Sequence, residues 1–193
     1  KGKITLVPFS VGQEQHLIQI KESEDEKEKI TVLKQIIEEC IQTPGVDVPK
    51  LPLFIIEDIF LLLLQNSTGE FIPLAYQCKN DVEGGVCDTQ ISLELDVREF
   101  TIAEEEGHSN KVLVSPPIGI TFKYPSIEMY ENAESDMKDD MEIILECIDM
   151  IFDGDNVYPA SEHTKEELRD FWNQQTLAQK KMVYDTFFNS IPH

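Results

Sequence analysis

The densest apolar stretch of the chain, residues 53–64, reads LFIIEDIFLLLL and is followed directly by the polar segment QNSTGE. A helix that spans a bilayer needs about 20 apolar residues. This stretch is shorter, and it contains the acids Glu57 and Asp58. A helix that is apolar on nearly every face is normally buried on most sides. The sequence therefore predicts a central buried helix on which the rest of the chain packs, and no membrane span.

The periodicity of the remaining apolar residues predicts an α+β fold. Helical spacing in two early segments predicts N-terminal helices before the central one. Strict alternation of apolar and polar residues over residues 90–97, and weaker alternation elsewhere, predicts a small antiparallel sheet in the middle of the chain. Farther on, Thr164 and Glu167 form the pattern of a capping box, which predicts a helix in a C-terminal helical region.

We expect the chain to divide near residue 125. Residues 1–125 are predicted to form an α+β core, with helices over residues 12–66 and the antiparallel sheet over residues 70–124. Residues 126–193 are predicted to form an acidic helical region packed on that core. Within this region the apolar spacing over residues 141–152 predicts one helix, closed by the turn Asp153-Gly154-Asp155-Asn156.

The charge of the chain limits its partners. The sequence has 37 acidic and 16 basic residues, a formal net charge of −21, and residues 128–170 alone hold 15 acids against three bases. Such a field repels phosphate groups, so the sequence predicts no binding to nucleic acid or to an anionic membrane. Two explanations of the acidity stay open: it keeps the protein soluble, or it presents a surface to a dedicated basic partner.

The four cysteines predict a reducing environment and raise the question of a metal. The chain starts without the pattern of a secretory signal, so we expect a cytosolic protein without disulfides. Cys78 and Cys87 are separated by eight residues across a predicted hairpin loop and could supply half of a zinc site. Cys40 and His108 are the candidates for the other half. The alternative is that Cys78 and Cys87 are two buried, reduced thiols.

No catalytic pattern accompanies these features. The sequence has no Gly-rich phosphate-binding loop, no His-Glu-x-x-His pair and no Gly-x-Ser-x-Gly motif. The four histidines lie far apart in the sequence. We therefore predict that the protein is not an enzyme and has no cofactor other than the zinc just considered.

Short segments spread over nearly the whole chain carry a resemblance to a known family. In order they are Val7-Pro8-Phe9-Ser10, residues 32–40, Lys50-Leu51-Pro52, Asp58-Ile59-Phe60-Leu61, residues 66–70, Tyr76-Gln77-Cys78 with Cys87, residues 120–125, residues 151–155 and residues 187–192. As an ordered set they resemble the small baseplate hub assembly proteins of T-even-type contractile-tailed bacteriophages. No single segment is diagnostic by itself.

This resemblance implies a role in assembly. Proteins of this family have no known enzymatic activity, so the resemblance implies a part of the tail baseplate hub, or a chaperone that helps to build it. The implied partners are other hub or tail proteins. The implied location is the cytoplasm of the infected bacterium during assembly and, for a retained component, the baseplate of the virion tail. The oligomeric state does not follow from the resemblance.

Aromatic residues are the candidates for partner binding, because Trp, Tyr and Phe are enriched in protein interfaces. We expect the acidic region and the aromatic tail to form a docking surface, with a further contact from the central helix. The candidate residues are Phe171, Trp172, Tyr184, Phe187 and Phe188 in the tail and Phe60 in the central helix. Equally, all of these rings can be ordinary core residues.

Two other functions stay open at this point. The net charge alone suggests an acidic inhibitor that mimics nucleic acid, which would carry its acids along one exposed face. Cys78 and Cys87 alone suggest a metal-binding protein or a metal-dependent enzyme. Neither alternative accounts for the ordered set of segments.

Overall fold

A computed structural model of the protein describes residues 3–21, 23, 25–68, 71–82, 85–103, 105–132 and 140–193. The described chain combines α-helices with antiparallel sheets, which confirms the predicted α+β class. Its packing divides it into two compact units, Lys1–Val46 with Glu57–Thr101 and Asp47–Ile56 with Ile102–His193. The boundary near residue 125 stays a prediction about folding domains. The two packing units instead change at residues 46/47, 56/57 and 101/102.

Three helices lie wholly or mainly in the first unit: α1 (Val11–Lys21), α2 (Glu26–Cys40) and α3 (Leu53–Thr68). The helix α3 contains the apolar stretch of residues 53–64. Its buried residues are spaced as a single stripe, Ile56, Ile59 and Leu63, at most 4% exposed, whereas Leu62 is 41% exposed. The central helix is therefore buried along one side, although its composition is apolar nearly all round.

The strands of the first unit form a two-stranded antiparallel ribbon, made of β1 (Phe71–Gln77) and β4 (Gln90–Asp96). In the connection between them, the short strands β2 (Asp81–Val82) and β3 (Gly85–Val86) pair with each other. These bounds confirm the strand predicted from the alternation over residues 90–97. Within the described residues, neither β1 nor β4 has a second neighbouring strand.

The second unit contains a four-stranded antiparallel sheet in which strands consecutive in sequence are neighbours. The strands are β5 (Lys111–Ser115), β6 (Ile118–Phe122), β7 (Ile148–Asp153) and β8 (Asn156–Pro159). In β5 the exposed and buried residues alternate strictly. This alternation is typical of a sheet that packs one face on a core and turns the other to solvent.

Four helices accompany this sheet: α4 (Ile127–Asn132), α5 (Asp140–Cys147), α6 (Lys165–Asn173) and α7 (Leu177–Thr186). Capping boxes begin both α6 and α7, and the one at α6 is the predicted pair of Thr164 and Glu167. Sheet and helices share one apolar core: Val112, Val114, Ile120, Phe122, Ile144, Leu145, Cys147, Ile148, Leu168, Trp172, Val183 and Phe187.

The prediction of one helix over residues 141–152 was wrong in its second half. The helix α5 ends at Cys147, and the chain continues as β7, whose Ile151 lies opposite Ile120 of β6. The turn after β7 closes a hairpin and not a helix, with Gly154 at φ +59°, as expected at the first central position of a type II′ turn. Apolar residues on a buried strand also match helical spacing, and the spacing alone could not separate the two structures.

The strand β6 can lie against its neighbours because residue 119 is glycine. Gly119 pairs with Phe152 of β7, and a Cβ atom at position 119 would overlap the Phe152 ring. The same atom would lie 2.7 Å from the carbonyl oxygen of Val112 in β5. The Val112 backbone of β5 and the Phe152 ring of β7 therefore occupy the space that a side chain at position 119 would need.

Gly119→Ala is therefore expected to lower the free energy of unfolding by about 1–3 kcal/mol, the range for overpacking a filled core. Urea unfolding followed by circular dichroism measures the change. Gly12→Ala is the matched control, because its Cβ would meet only the Ser10 Oγ, at 3.9 Å. Equal stability of the two variants would contradict the overpacking.

Phe187 joins the sheet to the C-terminal part of the second unit. Its side chain is completely buried just after α7, and its ring stacks on Phe122 of β6 with 4.9 Å between the centroids. The rings of Tyr124 and Phe188 also contact it, at 5.5 and 4.9 Å. The Phe187 side chain thus contacts strand β6, the residue Tyr124 that follows this strand, and the neighbouring residue Phe188.

Phe187→Ala is expected to cost about 3–5 kcal/mol of unfolding free energy, as for other buried aromatic residues. A fall in the melting temperature, together with loss of the near-ultraviolet circular dichroism of the packed rings, would show it. Leu177→Ala serves as the control within α7, because Leu177 is 87% exposed and should change stability little. If both variants melted together, Phe187 would not carry the packing assigned to it.

Candidate interaction surfaces

Cys78 and Cys87 lie near each other in the connection between β1 and β4. The Cys78 N–H donates to the Thr89 carbonyl at 2.9 Å, and the Cys78 carbonyl accepts from the Asp88 N–H at 3.0 Å. The Cys87 Sγ lies 3.2 Å from the Thr89 Oγ1. Hydrogen bonds from the Thr89 side chain, then from its backbone and from Cys78, lower the pKa of the Cys87 thiol. Both thiols are free and half-buried.

The two proposed companions of this pair are engaged elsewhere. Cys40 is completely buried at the end of α2, and its burial raises the pKa of its thiol. His108 uses both ring nitrogens, Nδ1 toward the Ser190 Oγ at 2.9 Å and Nε2 toward the Tyr124 hydroxyl at 2.8 Å. Among the described residues, no three His, Cys, Asp or Glu side chains come together as a metal site would require. Zinc binding by Cys78 and Cys87 stays a prediction.

The aromatic candidates of the C-terminal tail gather around the core of the second unit. Trp172 is 1% exposed and Phe187 is fully buried, so neither offers a surface to a partner in this structure. Phe171, Tyr184 and Phe188 are half-buried and pack against the same core. Their placement fits the alternative that the sequence left open, in which these rings build the interior. Partner binding through the half-buried rings stays a prediction.

Phe60, the candidate on α3, is also half-buried, and its ring lies 5.9 Å from that of Phe9. The N-terminal segment approaches the same helix through its backbone, because the Phe9 N–H donates to the Ser67 Oγ at 2.7 Å. A segment of the chain itself therefore contacts the Phe60 side of α3.

An apolar groove of about 320 Å³ lies beside the last strand of the second unit. Its apolar lining comes from Ile118, Ile151, Leu168 and the candidate residue Phe171. Its polar lining comes from Asp153, His163 and Glu167, and the His163 Nδ1 lies 3.7 Å from the Glu167 Oε2. Phe171 thus contributes to a concave surface in this unit.

A second, more polar cleft of about 490 Å³ lies between α1 and α2. There the Glu39 carboxylate accepts hydrogen bonds from the side-chain amides of Gln35 at 3.0 Å and Gln13 at 2.7 Å. These bonds, that of Gln35 first, lower the pKa of Glu39. The Glu39 carboxylate in this cleft is therefore already stabilised by groups of the chain.

One face of the ribbon exposes several apolar side chains and is here called the ribbon face. It consists of three cross-strand pairs, Ile72 with Leu95, Leu74 with Leu93 and Tyr76 with Ile91. Five of these six residues are at least 36% exposed, and Tyr76 reaches 60%. The alternation over residues 90–97 predicted that the apolar side chains of β4 share one face.

Two cations of the acidic stretch, both on α6, form ion pairs with acids of α5. On α6, the Arg169 guanidinium binds the Glu142 carboxylate of α5, and the Lys165 Nζ lies 2.7 Å from the Glu146 Oε1. These two ion pairs connect α5 and α6. None of the described helices combines the length and apolar character needed to cross a membrane.

Comparison with known proteins identifies the family of the chain. Neither the curated proteins nor the solved structures contain a match to this chain. The model of one protein family, described as "T4 bacteriophage base plate protein", matches residues 1–193. This match covers the whole chain and agrees with the resemblance found from the ordered segments. The chain therefore belongs to the T4 bacteriophage base plate protein family.

Proposed function

We propose that the chain is a structural component of the phage baseplate hub, or an assembly chaperone for it, and that it works by binding other tail proteins. The observation that carries this proposal is the family match over residues 1–193. The match by itself supports the coarser statement, a structural component of a phage baseplate with no enzymatic role. The hub, the chaperone alternative and the direct partners are the finer part of the proposal.

Surface and charge favour protein partners. The ribbon face exposes apolar residues over three cross-strand pairs, and an exposed apolar patch on a small protein commonly marks an interaction site. The net charge of −21 disfavours DNA and anionic lipid as ligands. A protein that binds neighbours in an assembly uses both properties, apolar contact for affinity and charge for steering.

The two other functions have less support. A nucleic-acid mimic would need free acids along one exposed face, whereas Glu142, Glu146 and Asp96 form ion pairs with bases of the chain. A metal-binding function would rest on Cys78 and Cys87, which gather no third ligand among the described residues.

We place the protein in the cytoplasm of the infected host during assembly and, as a retained component, in the virion tail baseplate.

Deletion of the gene from the phage that encodes this chain is expected to stop tail completion. Infected cells should then accumulate heads without tails, because heads do not depend on the baseplate for their own assembly. Electron microscopy of the lysate and a plaque assay measure the result. A plasmid that supplies the intact chain should restore plaques, and an undiminished yield of tailed particles without it would overturn the proposal.

Mass spectrometry of purified mature particles then separates the two forms of the proposal. A structural component stays in the particle, and its peptides should copurify with the other baseplate proteins. A chaperone should instead occur with baseplate precursors from infected cells and be missing from finished particles. The chain should be found in one of these two fractions, and its absence from both would contradict a role in the baseplate.

A further inference from the structure

We propose that the outer edge of β4, together with the ribbon face, binds an extended segment of a partner protein in which apolar and basic residues alternate. The bound segment adds a third strand beside β4 and extends the apolar face by its own apolar side chains. This inference rests on the proposed function, because it names the surface through which a baseplate protein would be bound.

The ribbon is built as two different faces. On the ribbon face, Leu74 pairs with Leu93 at the centre, and these side chains are 43% and 53% exposed. On the opposite face the pairs include Ala75 with Ser92 and Pro73 with Glu94. A two-stranded ribbon is marginally stable by itself, and three or more strands with an apolar face are usually needed. A third strand would supply what this ribbon lacks.

The two outer edges of the ribbon are not equivalent. The Cys78 N–H points inward, because it donates to the Thr89 carbonyl across the ribbon at 2.9 Å. Along a strand the N–H groups alternate in direction, so those of Tyr76 and Leu74 also point inward, and position 73 faces outward. Residue 73 is proline and has no N–H to donate. The outer edge of β1 is therefore blocked at its middle.

The outer edge of β4 offers an unbroken row of hydrogen-bonding groups. Tyr76 and Leu74 pair with Ile91 and Leu93, so the backbone groups of these β4 residues bond inward. The N–H and C=O groups of Gln90, Ser92 and Glu94 then point outward, and β4 contains no proline. Within the described residues β4 pairs with β1 alone. Strand addition to such an edge is a recurrent mode of peptide recognition.

The charge of the edge selects a basic segment. The Asp96 carboxylate is paired with Arg98, and the Arg98 Nη2 lies 2.6 Å from the Asp96 Oδ2. The backbone groups of Glu94 point to the outer edge of β4, and its side chain forms no ion pair among the described residues. An opposite charge directly across from Glu94 stabilises an added strand. The net charge of −21 also attracts a basic segment over longer distances.

A second copy of this chain fits the surface less well. Each copy carries the net charge of −21, so two copies repel each other. A ribbon of seven-residue strands is about 24 Å long and about 10 Å wide, a footprint of roughly 240 Å². Stable interfaces bury roughly 800 Å² per partner. The ribbon face alone is thus sized for a segment.

The test uses the full chain and a short fluorescein-labelled peptide in which valine and lysine alternate. Fluorescence anisotropy should show binding, and a peptide with the same residues in two separate blocks should bind clearly less. Ser92→Pro removes one outward N–H of β4 and should weaken binding about ten-fold. Ala75→Pro, directly opposite on β1, removes an outward N–H of the blocked edge and should leave binding unchanged.

Glu94→Lys checks the charge without touching the backbone, and it should also weaken binding of the lysine peptide. Circular dichroism and urea unfolding establish that each variant is folded. The proposal is overturned if the intact chain binds neither peptide, if it binds both equally, or if Ser92→Pro and Ala75→Pro have the same effect. It is also overturned if sedimentation shows a dimer that Ser92→Pro dissociates, because the edge would then serve a second copy.

Complementation of the deleted phage separates this inference from the proposed function. A folded Ser92→Pro chain should restore fewer plaques than a folded Ala75→Pro chain. If both restore plaques like the intact chain, the inference fails and the proposed function stands. If the deletion itself leaves tail assembly unchanged, the proposed function fails, whatever the peptide measurements show.

Discussion

The buried Phe187 ring connects the end of the chain to strand β6 of the second unit. It stacks on Phe122 in the sheet and contacts the ring of His108, whose two nitrogens reach Ser190 and Tyr124. The Phe187 side chain thus contacts Phe122 of strand β6, Tyr124 after that strand, His108 before the sheet and Phe188 near the chain end. Dense packing of this kind transmits strain and allows few alternative arrangements. The glycine at position 119 is a second consequence of it, because only a missing side chain leaves room for Phe152.

The two units differ in how their sheets are covered. In the second unit the strands share a core with α5, α6 and α7, and residues such as Ile120 and Trp172 are almost completely buried. In the first unit the ribbon exposes apolar cross-strand pairs on one face and mixed pairs, such as Ala75 with Ser92 and Pro73 with Glu94, on the other. A fold that completes one sheet internally and leaves another open has a stable part and a part available for binding. This division of roles suits a component of a larger assembly.

Local signals in the sequence predicted local structure well. The capping box of Thr164 and Glu167 and the alternation over residues 90–97 gave a helix start and a strand that the structure confirms. The helix predicted through Phe152 shows the limit, because Ile148 and Phe152 fit a buried strand as well as a helix. The exposure of the ribbon face also could not be predicted from the sequence. Alternation shows which side chains share a face, and only the packing of the whole chain shows whether anything covers them.

The proline in the middle of β1 limits how many chains can join. After a strand is added to β4, one outer edge of the ribbon is formed by the added strand. The other outer edge is β1, which lacks a backbone N–H donor at Pro73. Sheets with two open edges can grow without end, which is how edge strands lead to aggregates. Here growth on the β1 side is stopped within the chain itself. Pro73 therefore directs strand addition to the β4 side of the ribbon, so that the ribbon can be extended in one direction only.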